Sequence, residues 1–258
     1  VMDIYELGEK INLEMTSNKD KNCIYDYIFL CFLLGNDFMP HFPSLNIRTN
    51  GIQIILNTYS ELFGNNNNVI VDDTKIYWNN LKKLVRALSQ KEEEYGIEEM
   101  KIRDRMSKKY AHYERLPETA DKEKRELELN NMPLIDRTIE KYIDIGSEGW
   151  QQRYYRELFD IEITDERRKQ ISINYLEGLD WNFKYYTEDC PDWRWVYNYK
   201  YPPLLQDLIR YIPDFDTEFV SFKQPNPVTP LVQLSYVLPR NSLDLLPPEI
   251  YKKLILQH

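Results

Sequence analysis

The sequence predicts a mainly α fold: an irregular helical domain with a long charged helical arm and an aromatic-rich, proline-rich C-terminal part. Three observations carry this reading. Apolar residues recur every three to four positions through most of the first 90 residues. Residues 91–128 hold 22 charged side chains of both signs in 38 positions, with a thin apolar stripe at Met106, Tyr110 and Tyr113. Aromatic residues make up 14% of the chain and concentrate between 142 and 201, where prolines begin to interrupt the helical pattern.

The elements follow in order. Ile4, Leu7, Ile11, Leu13 and Met15 predict a helix over 3–15. Asp20 or Asn22 is placed to cap a second helix over 24–34. That segment is apolar on nearly every face, so it should be buried, and Gly35 should stop it. Pro40 and Pro43 then force extended backbone. Helices are expected over 52–63 and 73–90, separated by a loop of four asparagines at 65–68. The charged segment should be a solvated, protruding arm that Pro117 breaks. Further helices are expected over 134–143, 150–158, 165–187 and 203–210, with 188–202 irregular but ordered. A proline-rich loop should cross 212–230, and short helices near 230–237 and 247–256 should end the chain.

Composition divides the chain into 1–60; 61–130, a helical segment with the charged arm; and 131–258, a helical and aromatic domain. It also excludes several classes. With 33 basic against 42 acidic residues, the net charge of −9 rules out a simple cationic sleeve for nucleic acid. Only 8 glycines are present, and none form a phosphate-cradling loop. Cys23, Cys31 and Cys190 lack metal-site or disulfide-framework spacing, which points to a reducing compartment and an intracellular protein. The longest apolar run, Tyr27 to Leu34, is far short of the roughly 20 residues of a membrane span, so no membrane partner is expected. The chain starts at Val1, inside what reads as a helical domain, and is expected to be part of something longer.

Three constellations could carry chemistry. In Leu33-Leu34-Gly35-Asn36-Asp37-Phe38 a buried helix ends and hands over to an aspartate, which fixes a carboxylate at a rigid place. Divalent-metal nucleases need several such hard oxygen ligands. Asp26 lies eleven positions earlier, about 16 Å along a continuous helix, and cannot share an ion with Asp37. From residue chemistry alone a simple cap or turn at Asn36 and Asp37 is the preferred reading. The second constellation is Trp193-Arg194-Trp195 with Tyr197, Tyr199, Lys200 and Tyr201. Rings interleaved with cations suit stacking on unpaired bases. From the residues alone a structural cluster with Trp150, Trp181, Tyr185 and Tyr186 is preferred. The third is Trp150 to Arg156, where Arg153 could reach a phosphate or pair with a buried carboxylate, the pairing being preferred. His41, His112 and His258 are dispersed and support no histidine site.

Asp26 through His41, followed by Pro43-Ser44-Leu45 and Ile47-Arg48, closely resembles a signature of the eukaryotic-type 5′→3′ exoribonucleases, the Xrn family. The resemblance continues in Gly149-Trp150, Arg153-Tyr154-Tyr155 and Phe159. It extends through Tyr175, Glu177-Gly178-Leu179, Trp181, Tyr185-Tyr186 and Trp193-Arg194-Trp195, and ends in a block from Pro230 to Tyr251. The charged arm matches only in length and character.

This resemblance implies the C-terminal half of a catalytic module that degrades 5′-monophosphorylated single-stranded RNA to mononucleotides, with 1–60 as the end of its nuclease core carrying the Gly35-Asn36-Asp37 motif and 131–258 wrapping the active site. It implies that Asp37, supported by Asn36, is one of several acidic ligands of a pair of Mg²⁺ ions. The other ligands and the phosphate pocket would lie in an N-terminal half outside this chain, so the chain alone should be inactive. A tryptophan of the pair Trp193 and Trp195, with Trp195 preferred, would stack on the RNA. Where the family usually has Tyr-Pro-Tyr-His-Tyr-Ala-Pro-Phe, this chain has Tyr197 to Leu204 with Lys200 and Leu204 in place of His and Phe. That departure marks a divergent member. The cytoplasm is preferred over the nucleus. The competing expectation is a non-catalytic scaffold of the same fold, binding RNA or protein through the arm and the aromatic block. A DNA flap nuclease is disfavoured by the Trp-x-Trp and Gly-Trp blocks.

Overall fold

The computed structural model describes residues 3–18, 21–72, 75–111, 136–223 and 227–256. The mainly α expectation holds: among the described residues no strand forms, and one antiparallel bridge joins Val71 to Ile76. The helices are α1 (Ile4–Met15), α2 (Ile24–Phe32), α3 (Gly51–Phe63), α4 (Trp78–Gln90), α5 (Glu92–Ala111) and α6 (Thr138–Ile143). They continue with α7 (Trp150–Phe159), α8 (Asp165–Thr187), α9 (Leu205–Leu208), α10 (Pro230–Val237) and α11 (Pro248–Leu256). A 3-10 turn at Arg240–Leu245 lies between the last two.

Local chemistry sets the boundaries. Asp3 Oδ1 accepts from Tyr5 N and Glu6 N and caps α1, as Thr164 caps α8 by accepting from Arg167 N. Asn22 accepts from Ile24 N at the head of α2; Asp20 lies outside the described residues. Helix α2 ends at Phe32 rather than at Leu34, because the amides of Leu33, Leu34 and Gly35 bond three residues back and tighten the last turn. Helix α4 starts at Trp78, not near 73. The chain folds back at Val71–Ile76, with Tyr77 N bonding Ile70 O. Helix α6 begins at Thr138, where Asp136 receives the Thr138 amide. The four-residue α9 is shorter than expected. Of the expected arm, the structure describes the helix to Ala111; Pro117 and the rest lie outside the described residues.

One core runs through most of the fold. Phe29 and Leu30 of α2, with Leu33 just after it, meet Ile55 and Tyr59 of α3, Leu81, Leu84 and Val85 of α4, and Tyr175, Leu179 and Phe183 of α8. Burying such side chains stabilises the fold by about 1.5–3 kcal/mol each before entropy is counted. A second cluster joins Ile143, Trp150, Tyr154, Tyr155, Ile171 and Leu204, and a third joins Trp181, Cys190 and Val220. Trp150 therefore does not belong with Trp181. It packs with Tyr154 and Tyr155, and its indole N–H donates to Glu93. Helix α10 buries no residue; Val232, Tyr236 and Val237 lie open.

Within the described part of the charge run most charged side chains are exposed, as expected, but several are buried or paired. Glu92 is buried and accepts from Leu205 N and Gln206 N, heading α9. Glu99 is also buried and accepts from Asn46 Nδ2 and Thr49 Oγ1. Arg137, 3% exposed, pairs with Asp104 and Glu140, while Arg103 Nε reaches Glu140 at 2.8 Å. The described part of the arm is thus docked on the body by its charges.

Candidate functional site

The segment after α2 is a tight turn with one carboxylate at its tip. Gly35 sits at φ 85°, a left-handed conformation that glycine adopts without strain, and a Cβ there would lie 2.9 Å from the His41 amide nitrogen. The side chain of Asn36 then closes the turn. Its Oδ1 accepts from Phe38 N and Met39 N, both at 2.9 Å, and the main-chain N–H of Asn36 donates to Met39 O. Asp37 is consequently fixed in backbone but open in side chain: it is exposed and makes no hydrogen bond or ion pair among the described residues. Asn36 does the turning that the sequence allowed for either residue.

Helix α8 anchors this turn from below. Asn182 Oδ1 accepts from Asn36 Nδ2 at 2.8 Å, and Tyr175 Oη donates to Pro40 O at 3.3 Å. The Phe42 and Tyr175 rings meet at 5.0 Å, and Met39 lies against Gly178. The sequence reading missed Asn182 and Gly178. A glycine inside a 23-residue helix was a usable signal, because it costs about 1 kcal/mol against alanine and marks close approach. Nothing in the sequence pointed to Asn182.

Beside Asp37 stands a face of rings. Trp181 and Tyr185, one turn apart on α8, stack at 5.1 Å and 14°, and Trp195 stacks on Trp181 at 5.4 Å and 22°. Phe38 closes the group, 4.8 Å from Trp181 and 5.4 Å from Tyr185. The turn carrying Trp195 is held by Asp192. Its carbonyl accepts from the Trp181 indole and Trp195 N, and its carboxylate accepts from Arg194 N and Lys223 Nζ. These donors, Lys223 first, hold the Asp192 carboxyl below the usual range. Trp195 is partly covered by its stack, whereas Trp193 is half exposed. The structure thus brings Asn36, Asp37, Phe38 and the Trp181–Trp195 stack together.

Two other sequence candidates have structural occupations. Asp26 is buried, with its oxygens taken by Ile70 N, Val71 N and the Tyr59 hydroxyl. Burial pushes its carboxyl up and these donors pull it back. Asp26 is therefore not a ligand beside Asp37. Arg153 meets no carboxylate among the described residues. Its guanidinium donates to the carbonyls of Tyr142, Ile143 and Glu148 and to the Ser147 hydroxyl, which ties the turn between α6 and α7. The expected carboxylate pairing is corrected to a carbonyl clamp, a use for which the forked guanidinium is well shaped.

The donor set was tested against a divalent cation. Among the described residues no group of three or more His, Cys, Asp and Glu side chains could hold a metal ion. Asp37 fits a hard cation as one oxygen ligand, and a complete site would take its other ligands from outside the described residues.

Comparison with known proteins bears on what this turn belongs to. The family model described as the Xrn1 helical domain matches residues 17–138 and 113–258. The 5′-3′ exoribonuclease 2 of Arabidopsis thaliana is 25% identical over 96% of the chain, which covers 31% of that protein. The protein of the same name from Gallus gallus is 25% identical over 86% of the chain and 29% of its own length. The 5′-3′ exoribonuclease 1 of Saccharomyces cerevisiae is 24% identical over 96% of the chain and 23% of its own length. The chain thus spans less than a third of these relatives. With family matches running from residue 17 to the last residue and the helical architecture they imply, the chain belongs to the Xrn1 helical domain family.

Proposed function

We propose that this chain is the helical half of the catalytic module of a 5′→3′ exoribonuclease, and that the parent protein hydrolyses 5′-monophosphorylated single-stranded RNA to mononucleotides. The observation that carries the reading is Asp37: an open carboxylate on a rigid turn, beside a face of stacked rings. The names of the relatives support the reaction class.

In this reading Asp37 is one carboxylate ligand of a two-Mg²⁺ site, and the remaining ligands come from the N-terminal half. The chemistry expected of such ions is activation of water and stabilisation of the leaving oxygen. This chain's own contributions are structural and electrostatic. Asn36 fixes the turn. Asp37 supplies one negative charge at a defined place. Trp195 and Trp193 offer aromatic surface to the unpaired RNA, and Arg153 supports the fold from the α6–α7 turn. The isolated chain does not hydrolyse RNA, because it offers a single open carboxylate in this turn.

The deciding experiment uses the full-length parent with Mg²⁺ and two RNAs that differ only in a 5′-monophosphate or 5′-hydroxyl. Hydrolysis of the monophosphorylated RNA, abolished by Asp37→Ala, is the expected result. Full activity of Asp37→Ala overturns the assignment of Asp37. A parent that binds RNA or protein but hydrolyses neither RNA leaves the non-catalytic scaffold, which the net charge of −9 and the solitary carboxylate also suit.

A further inference from the structure

Two residues of α8, four positions and about one turn apart, lie beneath Asp37 and touch the residues on either side of it. Gly178 meets Met39. A Cβ on Gly178 would stand 2.2 Å from Met39 Sδ, 2.5 Å from Met39 Cε and 2.9 Å from Trp195 Cη2. The Met39 thioether therefore occupies the place of the missing side chain, and Met39 is buried as a result. Glycine is a poor residue for the interior of a helix, so its presence here answers a packing need. Asn182 meets Asn36. It is fully buried and both ends of its amide are used: Nδ2 donates to Gly178 O and Oδ1 accepts from Asn36 Nδ2, each at 2.8 Å.

These contacts form one chain of bonds. The Gly178 carbonyl holds Asn182, Asn182 holds Asn36, and Asn36 holds the amides of Phe38 and Met39. Asp37 stands between Asn36 and the two residues it holds, and its side chain has no bond of its own among the described residues. The same Gly178 surface also receives the edge of Trp195. One face of α8 thus sets both the carboxylate and the ring stack.

We propose that Gly178 and Asn182 are positioning residues for the Asp37 carboxylate, Gly178 by leaving room for Met39 and Asn182 by orienting Asn36. For its catalytic consequence the inference rests on the reading of Asp37 as a metal ligand; its geometric half does not. Residues that orient a metal ligand change metal affinity by about 10- to 100-fold when lost.

The test has two arms. In the isolated chain, amide hydrogen exchange at Phe38 and Met39 is compared between wild type and Asn182→Leu, with the α4 amides as reference. Acceleration of at least about tenfold at Phe38 and Met39, with α4 unchanged, is expected for a local opening. Equal exchange in the two proteins overturns the proposal, because a residue that only filled the core would leave the turn intact. In the full-length parent, Asn182→Leu is expected to raise the Mg²⁺ concentration for half-maximal hydrolysis by about 10- to 100-fold, with the KM for RNA changed less than about twofold. Calorimetric Mn²⁺ titration should weaken in parallel. An unchanged metal requirement overturns the catalytic half. Gly178→Ala should act in the same direction, and adding Met39→Ala should restore part of the loss; should Gly178→Ala fail to fold, Asn182→Leu decides alone. Asp37→Asn separates the two readings. If that parent variant stays fully active, the metal-ligand reading of Asp37 fails while the exchange result still decides the geometry.

Discussion

The carboxylate of Glu92 lies 2.7 Å from the main-chain nitrogen of Leu205, 113 residues further along the chain, and also accepts from Gln206 N. Burial raises the Glu92 carboxyl to about 7, against the opposing pull of the two main-chain donors, with Asp207 adding a smaller push upward. The folded chain then takes up a proton near pH 7, while an unfolded one waits until about pH 4.5. Between these values the folded state binds more protons, so this group adds stability as pH falls and withdraws it as pH rises. Urea unfolding of wild type and Glu92→Gln from pH 8 to pH 5 should show the wild type gaining on the variant, by up to roughly 3 kcal/mol. Parallel pH profiles would refute the assignment.

Asp26 serves three donors at once: Ile70 N, Val71 N and the Tyr59 hydroxyl. Asp26→Ala strands all three in the core and should cost about 3–5 kcal/mol. Asp26→Asn, which keeps an acceptor oxygen, should cost less than that. Chemical denaturation of the isolated chain measures both, and equal losses would mean that the carboxylate's second oxygen does the holding.

Asp37 should behave in the opposite way. Since it is exposed and unbonded among the described residues, Asp37→Asn should change stability by no more than about 0.5 kcal/mol. The same substitution in the full-length parent should abolish hydrolysis of 5′-monophosphorylated RNA. Loss of fold in the variant would make Asp37 a structural residue.

The two tryptophans should also divide. Trp195 stacks on Trp181 and abuts Gly178, so Trp195→Ala should destabilise by about 2–4 kcal/mol. Trp193 is half exposed, so Trp193→Ala should cost less than about 1 kcal/mol. If Trp193 stacks on a base, its loss should weaken single-stranded RNA binding by the parent by about 1–3 kcal/mol. Fluorescence anisotropy with a labelled RNA reads this without needing turnover.

Much of the framework could be read in advance because it depends on local signals. The apolar run of α2, the Gly35 stop and the spacing of Trp78, Leu81, Val85 and Leu88 in α4 each act within a few residues. What could not be read depends on long loops closing. Asn182 matters because it meets Asn36, 146 positions away, and Glu99 because it meets Asn46 and Thr49. A charge run reads as solvated until one knows which backbone amides and side chains arrive opposite it. Arg153 differs, because its partners are local: the carbonyls of Tyr142, Ile143 and Glu148 lie 11, 10 and 5 residues away, and a preference for charge pairing hid them. At the candidate site the turn, its aspartate and the helix over 165–187 were legible, and the seating of the turn on that helix was not.

The contact between the rings of Phe29 and Phe183, 6.0 Å apart, has a consequence for biosynthesis. Helix α2 is almost wholly apolar, yet the helix that covers it is translated 154 residues later. At ordinary elongation rates the interval is about 10 to 30 s. During it α2 has α3 and α4 to pack against but lacks the side chains of α8, while the charged segment between them emerges from the ribosome. Full burial of this apolar face therefore waits for completion of α8, and a chain truncated before that point leaves part of the face open to chaperone capture.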